Sequence, residues 1–167
     1  MRVSQSFRTN LPSEQIDMHR WVTGMTSEDY ASYTPEHKAL GSFYQGDRFF
    51  MVNVECVGSG LLVQHYELVE HSRSHVRFYS PRTEAYLYRW IPLTIAVPWE
   101  MSVRPVSSRV SELTCTIGAE FPSRLLEALA RANGIGFFMR RHLAAEGAAF
   151  ARDIERKFAT QPQELAR

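Results

Sequence analysis

The chain has 167 residues, 44% of them hydrophobic and 22% charged, with a formal net charge of +1. That suits one globular domain with a real core and is short for two. No basic block is present to track a phosphate backbone and no apolar run has the length of a membrane span, so neither a nucleic-acid partner nor a transmembrane helix is expected.

The N-terminal Met1-Arg2-Val3-Ser4-Gln5-Ser6-Phe7-Arg8 lacks the apolar stretch of a signal peptide, which points to a cytoplasmic protein. Residues 3–9 alternate roughly between apolar and polar, a strand pattern. Leu11-Pro12-Ser13 offers a turn and a helix cap, and Ile16, Met18, Trp21, Val22 and Met25 fit a short helix interrupted at Gly24. Thr26-Ser27-Glu28-Asp29 starts a second helix, its acidic residues matched to the helix dipole. Thr34-Pro35-Glu36-His37 reads as a third start, with threonine as cap and proline at the first helical position. Residues 13 to about 42 are thus expected to form two or three short helices.

The middle of the chain reads as sheet. Strands are expected at 48–57, 61–70, 75–79, 85–93, 100–106 and 112–121, separated by glycine-, proline- and serine-containing turns. Cys56 and Cys115, the only cysteines, lie in two of these apolar runs; buried free thiols are expected, with a disulfide as the alternative. Helices follow at 125–132 and 137–159, interrupted at Asn133-Gly134-Ile135-Gly136, and the last residues are polar and expected to fray. The predicted fold is α+β: a curved antiparallel sheet of about seven strands gripping a long C-terminal helix, with short helices after the first strand, in one domain over 1–167.

The last helix carries His142-Leu143-Ala144-Ala145-Glu146. Four positions apart, the imidazole and the carboxylate share a helix face one turn apart. Such a pair can hold a divalent metal, zinc among them, or simply stabilise the helix surface. Leu143, Phe150, Ile154 and Phe158 form an apolar stripe, with His142 and Glu146 on its flank.

The element order, together with Arg140-Arg141-His142 running into 143–158 and Tyr30-Ala31-Ser32-Tyr33-Thr34-Pro35-Glu36-His37 upstream, resembles the START-like helix-grip superfamily, also described as polyketide cyclase/dehydrase-like or SRPBCC. The two quoted stretches also resemble its 2,4-diacetylphloroglucinol hydrolase branch. That resemblance implies an internal cavity for a hydrophobic, aromatic or polyketide-like molecule, with zinc held by histidines and glutamates. It also implies hydrolysis of a carbon–carbon bond between an acyl group and an aromatic ring. His142 and Glu146 match the last-helix pair, His37 the upstream histidine, and Glu55 is the candidate strand carboxylate. The family's mid-sheet histidine has no counterpart, since 76–141 contains none.

His65 is the candidate replacement. A three-residue turn over Gly58-Ser59-Gly60 would set Val57 opposite Leu61, Glu55 opposite Val63 and Asn53 opposite His65, making Glu55 and His65 diagonal neighbours. That face is either a polar cavity floor or a solvent face. His19, His71 and His75 suggest no special role. Tyr30, Tyr33, Phe43, Tyr44, Tyr86, Tyr88, Trp90 and Trp99 are candidates for core or for cavity lining. The expected metal set is therefore His37, Glu55, His65, His142 and Glu146, with no catalytic acid or base identifiable. A metal-free domain that binds or carries a small lipid-like molecule is the alternative, and a purely protein-binding role has no positive support.

Overall fold

The computed structural model describes residues 1–159. Strand β1 (Arg2–Thr9) is followed by a single 3₁₀ turn (Ser13–Gln15) and helices α1 (Met18–Thr23) and α2 (Ser27–Tyr33). Strands β2 (His37–Gln45), β3 (Arg48–Val57), β4 (Gly60–His71), β5 (His75–Leu87), β6 (Ile91–Ser107) and β7 (Val110–Gly118) follow, then α3 (Arg124–Ala132) and α4 (Ile135–Ala159). All seven strands form one antiparallel sheet in the order β1-β7-β6-β5-β4-β3-β2. The residues expected to fray at the C-terminus lie outside the described residues.

The alternation that marks strands in the sequence becomes the two faces of the sheet. Along β3, Phe49, Met51, Asn53, Glu55 and Val57 are buried while their neighbours are at least partly open. Helix α4 packs on β1, at one edge, and also on β7 and β3, so the sheet curls around it. Leu143, Phe150, Ile154 and Phe158 of α4 are buried in the core between them, as the apolar stripe predicts. Helix α2 packs on β2 and α4 and closes the far end. Its start is a complete capping box: Thr26 accepts from the Asp29 backbone, and the Asp29 carboxylate accepts from the Thr26 backbone.

Several expectations need correction. Thr34-Pro35-Glu36-His37 starts no helix; it is a turn that leads into β2. The overlooked signal is Gly46-Asp47, a two-residue turn between Phe43-Tyr44 and Phe49-Phe50, with Gly46 at φ 64°. The expected breaks around Ser80-Pro81-Arg82 and Ala96-Val97-Pro98 do not end strands. A bulge between Ser80 and Thr83 absorbs the first, so 75–79 and most of 85–93 belong to β5 and the start of β6. Pro98 stays in register within β6, its ring occupying the space that the absent Cβ of Gly118 leaves. The expected strand 85–93 is in turn divided by a tight turn at Tyr88-Arg89-Trp90, with Tyr88 and Arg89 at positive φ, so the strand number agrees with expectation only because the missed strand β2 and this missed turn offset two false divisions. Cys115 is buried and Cys56 partly so, and both are free thiols. No helix among the described residues is long and apolar enough to cross a membrane.

Candidate functional site

Two structural units converge on one buried cluster. The β2–β3 hairpin sets His37 directly opposite Glu55. Helix α4 presents His142 and Glu146 from one face. All four side chains are buried, and one donor atom from each lies within 4.8 Å of the others. His142 Nε2 is 3.1 Å from Glu55 Oε2 and 4.0 Å from Glu146 Oε2. His37 Nε2 is 3.3 Å from Glu146 Oε1 and 3.6 Å from Glu55 Oε2.

Tyr30 of α2 orders this cluster, a role not evident from sequence. Its ring stacks on that of His37 at 3.9 Å, nearly parallel at 5°. Its hydroxyl donates to Glu55 Oε2 at 3.1 Å and accepts from Asn53 Nδ2 at 2.7 Å. Its backbone carbonyl lies 2.8 Å from His37 Nδ1, which must carry the hydrogen of that contact. With Nδ1 committed to that carbonyl, the ring turns Nε2 toward two carboxylates, and fixing one ring nitrogen on a carbonyl is how proteins orient metal-binding histidines.

Charge and burial compete strongly here. Burial pushes the Glu55 carboxyl up, but the hydrogen bond from His142 and the charges of His142 and His37 outweigh it and hold Glu55 below its ordinary value. Burial pulls His142 down, but its bond to Glu55 and the charges of Glu55, Glu146 and Glu36 raise it to about 9. Burial first, and then the charges of Glu55 and Glu146, push Tyr30 well above the usual phenol value, so its hydroxyl stays a donor.

The donor set could hold a metal ion. His37 Nε2 and Glu146 Oε2 are buried without hydrogen-bond partners, a costly condition in the interior. Two imidazoles and two carboxylates match zinc ligand chemistry, and donors about 2.0–2.2 Å from a tetrahedral ion lie roughly 3.3 Å apart. The separations of 3.1, 3.3 and 3.6 Å are close to that, one is 4.0 Å, and all four donors lie within 4.8 Å of one another.

The fifth expected ligand, His65, does not join the other four. The β3–β4 turn uses two residues, Gly58 and Ser59, with Val57 paired to Gly60. Gly58 has φ 60° at the first turn position, which favours glycine. Glu55 therefore faces Leu62, Asn53 faces Gln64, and His65 faces Val52. A one-residue change of register moves every side chain to the other face. The His65 ring is about half exposed, 3.8 Å from Glu84 on the outer surface. Gln64 and Tyr66 point inward instead.

Beyond the cluster lies a cavity of about 290 Å³, between the inner sheet face, α3 and the start of α4. Leu62, Ile95, Ile117, Leu126, Phe138 and Met139 supply much of its wall, and Gln64 is its buried polar group. The four clustered residues do not line it, but they are one step away: Leu62 is the cross-strand partner of Glu55, and Met139 precedes His142 by one turn. Of the candidate aromatics, Tyr30 and Trp99 are buried, Tyr33 is partly buried and Tyr88 lines the cavity. Phe43, Tyr44 and Trp90 are exposed, and Tyr86 donates to Glu84 on the outer surface.

Solved structures decide the fold. A Thermus thermophilus protein, TTHA0849, superposes with a TM-score of 0.70 at 14% identity, covering 96% of this chain and 100% of that one. A START superfamily protein from Mycobacterium smegmatis gives 0.62 at 10% identity, over 93% of this chain and 98% of the other. The fold is START-like. The Zhui aromatase/cyclase from Streptomyces sp. R1128 matches at 0.59 and 8% identity over 95% of this chain and 93% of its own. No family model and no curated protein matches the sequence.

Proposed function

We propose that this START-like protein is a zinc-dependent hydrolase of a small acylated aromatic or polyketide-like molecule. The observation that carries this reading is the convergence of His37, Glu55, His142 and Glu146, buried and mutually within 4.8 Å, beside an apolar cavity. Only by taking a carbonyl or a water molecule as a fifth ligand would a zinc ion bound by these four residues polarise the first or lower the pKa of the second. The protein's own residues do the rest. His37 and Glu146 face each other across the cluster, and Tyr30 holds both Glu55 and the His37 ring in position. Leu62 and Met139 line the cavity beside the cluster and form the apolar wall against which a ring would lie. Glu146 Oε2, which has no hydrogen-bond partner, is the group placed to accept a proton.

Zinc added to metal-free protein is expected to raise the Tm, because an ion that binds only the folded state adds about 2.7 kcal/mol at a hundredfold excess over Kd. An unchanged Tm would contradict the proposal. A second reading, a metal-free carrier of an apolar ligand, is favoured by one observation: none of the four clustered residues lines the cavity. In that case apolar aromatics stabilise the protein and zinc does not.

A further inference from the structure

Gln64 is 1% exposed, and neither its Oε1 nor its Nε2 has a hydrogen-bond partner. It lines the cavity. Among the described lining residues none is charged, and the other polar side chains, Ser59, Tyr88 and Asn133, are exposed. A buried primary amide with both ends unpaired, set in an apolar wall, is a costly choice where leucine or methionine would pack. It becomes favourable when a bound molecule pairs with it, because sites built around a buried polar group discriminate strongly against ligands that leave that group unpaired.

We propose that Gln64 is the specificity-determining residue of the cavity, and that the cavity takes an uncharged, largely apolar molecule with a hydrogen-bond donor beside an acceptor on one edge. A primary amide, or a hydroxyl next to a carbonyl, meets that description: Gln64 Oε1 accepts from the donor and Nε2 donates to the acceptor. Anionic ligands are disfavoured, since a carboxylate in this wall meets no cation. The position of Gln64 also orients the ligand. Its cross-strand partner is Asn53, which donates to Tyr30, which in turn donates to Glu55. The polar edge of the ligand is thereby held at the side of the cavity nearest the His–Glu cluster. The inference rests on the cavity being a ligand site, as the proposed function requires.

The test is binding of naphthamide, naphthalene and naphthoate, measured by calorimetry on the full chain and on Gln64→Leu and Gln64→Met. The wild-type protein is expected to bind naphthamide more tightly than naphthoate. In both variants the ratio of naphthamide to naphthalene affinity should fall about tenfold, the effect of one lost ligand hydrogen bond, with naphthalene affinity kept or improved. Two variants guard against a folding defect in either. An unchanged ratio in both would overturn the proposal while leaving the cavity a ligand site. Failure of the wild-type protein to bind any of the three would overturn the cavity reading itself, and this inference with it.

Discussion

Tyr30 shows how much of the site depends on one residue that carries no metal-ligand chemistry. Removing its hydroxyl in Tyr30→Phe leaves Asn53 Nδ2 without an acceptor and takes from Glu55 one of its two donors, the other being His142. The expected cost is about 1–3 kcal/mol in urea unfolding, with zinc affinity lower by about 10–100-fold, the usual effect of losing an outer-shell partner. Asp153 is the other buried acid on α4, with a different task. It accepts from Trp21 Nε1 at 2.9 Å and Tyr33 Oη at 2.7 Å, and pairs with Arg156 and Lys157, so it ties α1 and α2 to α4. Burial would raise its carboxyl, but hydrogen bonds from Arg156, Trp21, Tyr33 and Lys157 hold it below its ordinary 3.8. A depressed folded-state value contributes stability above 3.8 that is lost as pH falls through it. Thermal scans of metal-free protein should therefore show Tm falling below about pH 4, with a shallower acid limb in Asp153→Asn; identical limbs would remove Asp153 from this role. At this scale the sequence was informative where spacing on one helix decides the outcome, as for His142 and Glu146. It set Asn53 on the face of Glu55 and offered Tyr30 as a core or cavity aromatic, but it was silent on their hydrogen bonds and on Gln64, because those roles exist only through partners distant in the chain.

At the scale of elements, the contact between α4 and β1 sets where the cluster's helical half lies. A Cβ at Gly147 would sit 2.1 Å from the Phe7 ring, so the glycine after Glu146 lets the helix lie flat on the first strand. Gly147→Ala should cost about 1–3 kcal/mol by overpacking and should weaken metal binding by displacing Glu146. Pairing it with Phe7→Ala should recover part of both losses, as read by urea unfolding and zinc titration. Register was the least legible feature. Gly58-Ser59-Gly60 suits either a two- or a three-residue turn, and that choice decides whether Gln64 or His65 faces the interior. His37 illustrates the same limit. Thr34-Pro35-Glu36 has good helix-starting chemistry, yet pairing of 37–45 with β3 prevails, because a strand there buries Leu40 and sets His37 against Glu55.

For the whole molecule, one long helix inside a curled sheet explains both the cluster and the cavity. The sheet turns around α4, the C-terminal part of the helix seals against α1, α2 and β1, and its first turns with α3 stand off from the sheet and leave the cavity. This arrangement was legible from element order, because an antiparallel meander followed by a long amphipathic helix has few ways to bury both apolar faces. The cavity's shape was not, since it depends on side-chain directions from five strands and two helices. The proposed metal site of His37, Glu55, His142 and Glu146 is tested by elemental analysis of the purified protein and of His142→Ala and His65→Ala. One zinc per chain is expected in the wild-type and His65→Ala proteins, with loss of the metal in His142→Ala. A wild-type protein without stoichiometric metal, or a His142→Ala variant that keeps it, would overturn the assignment.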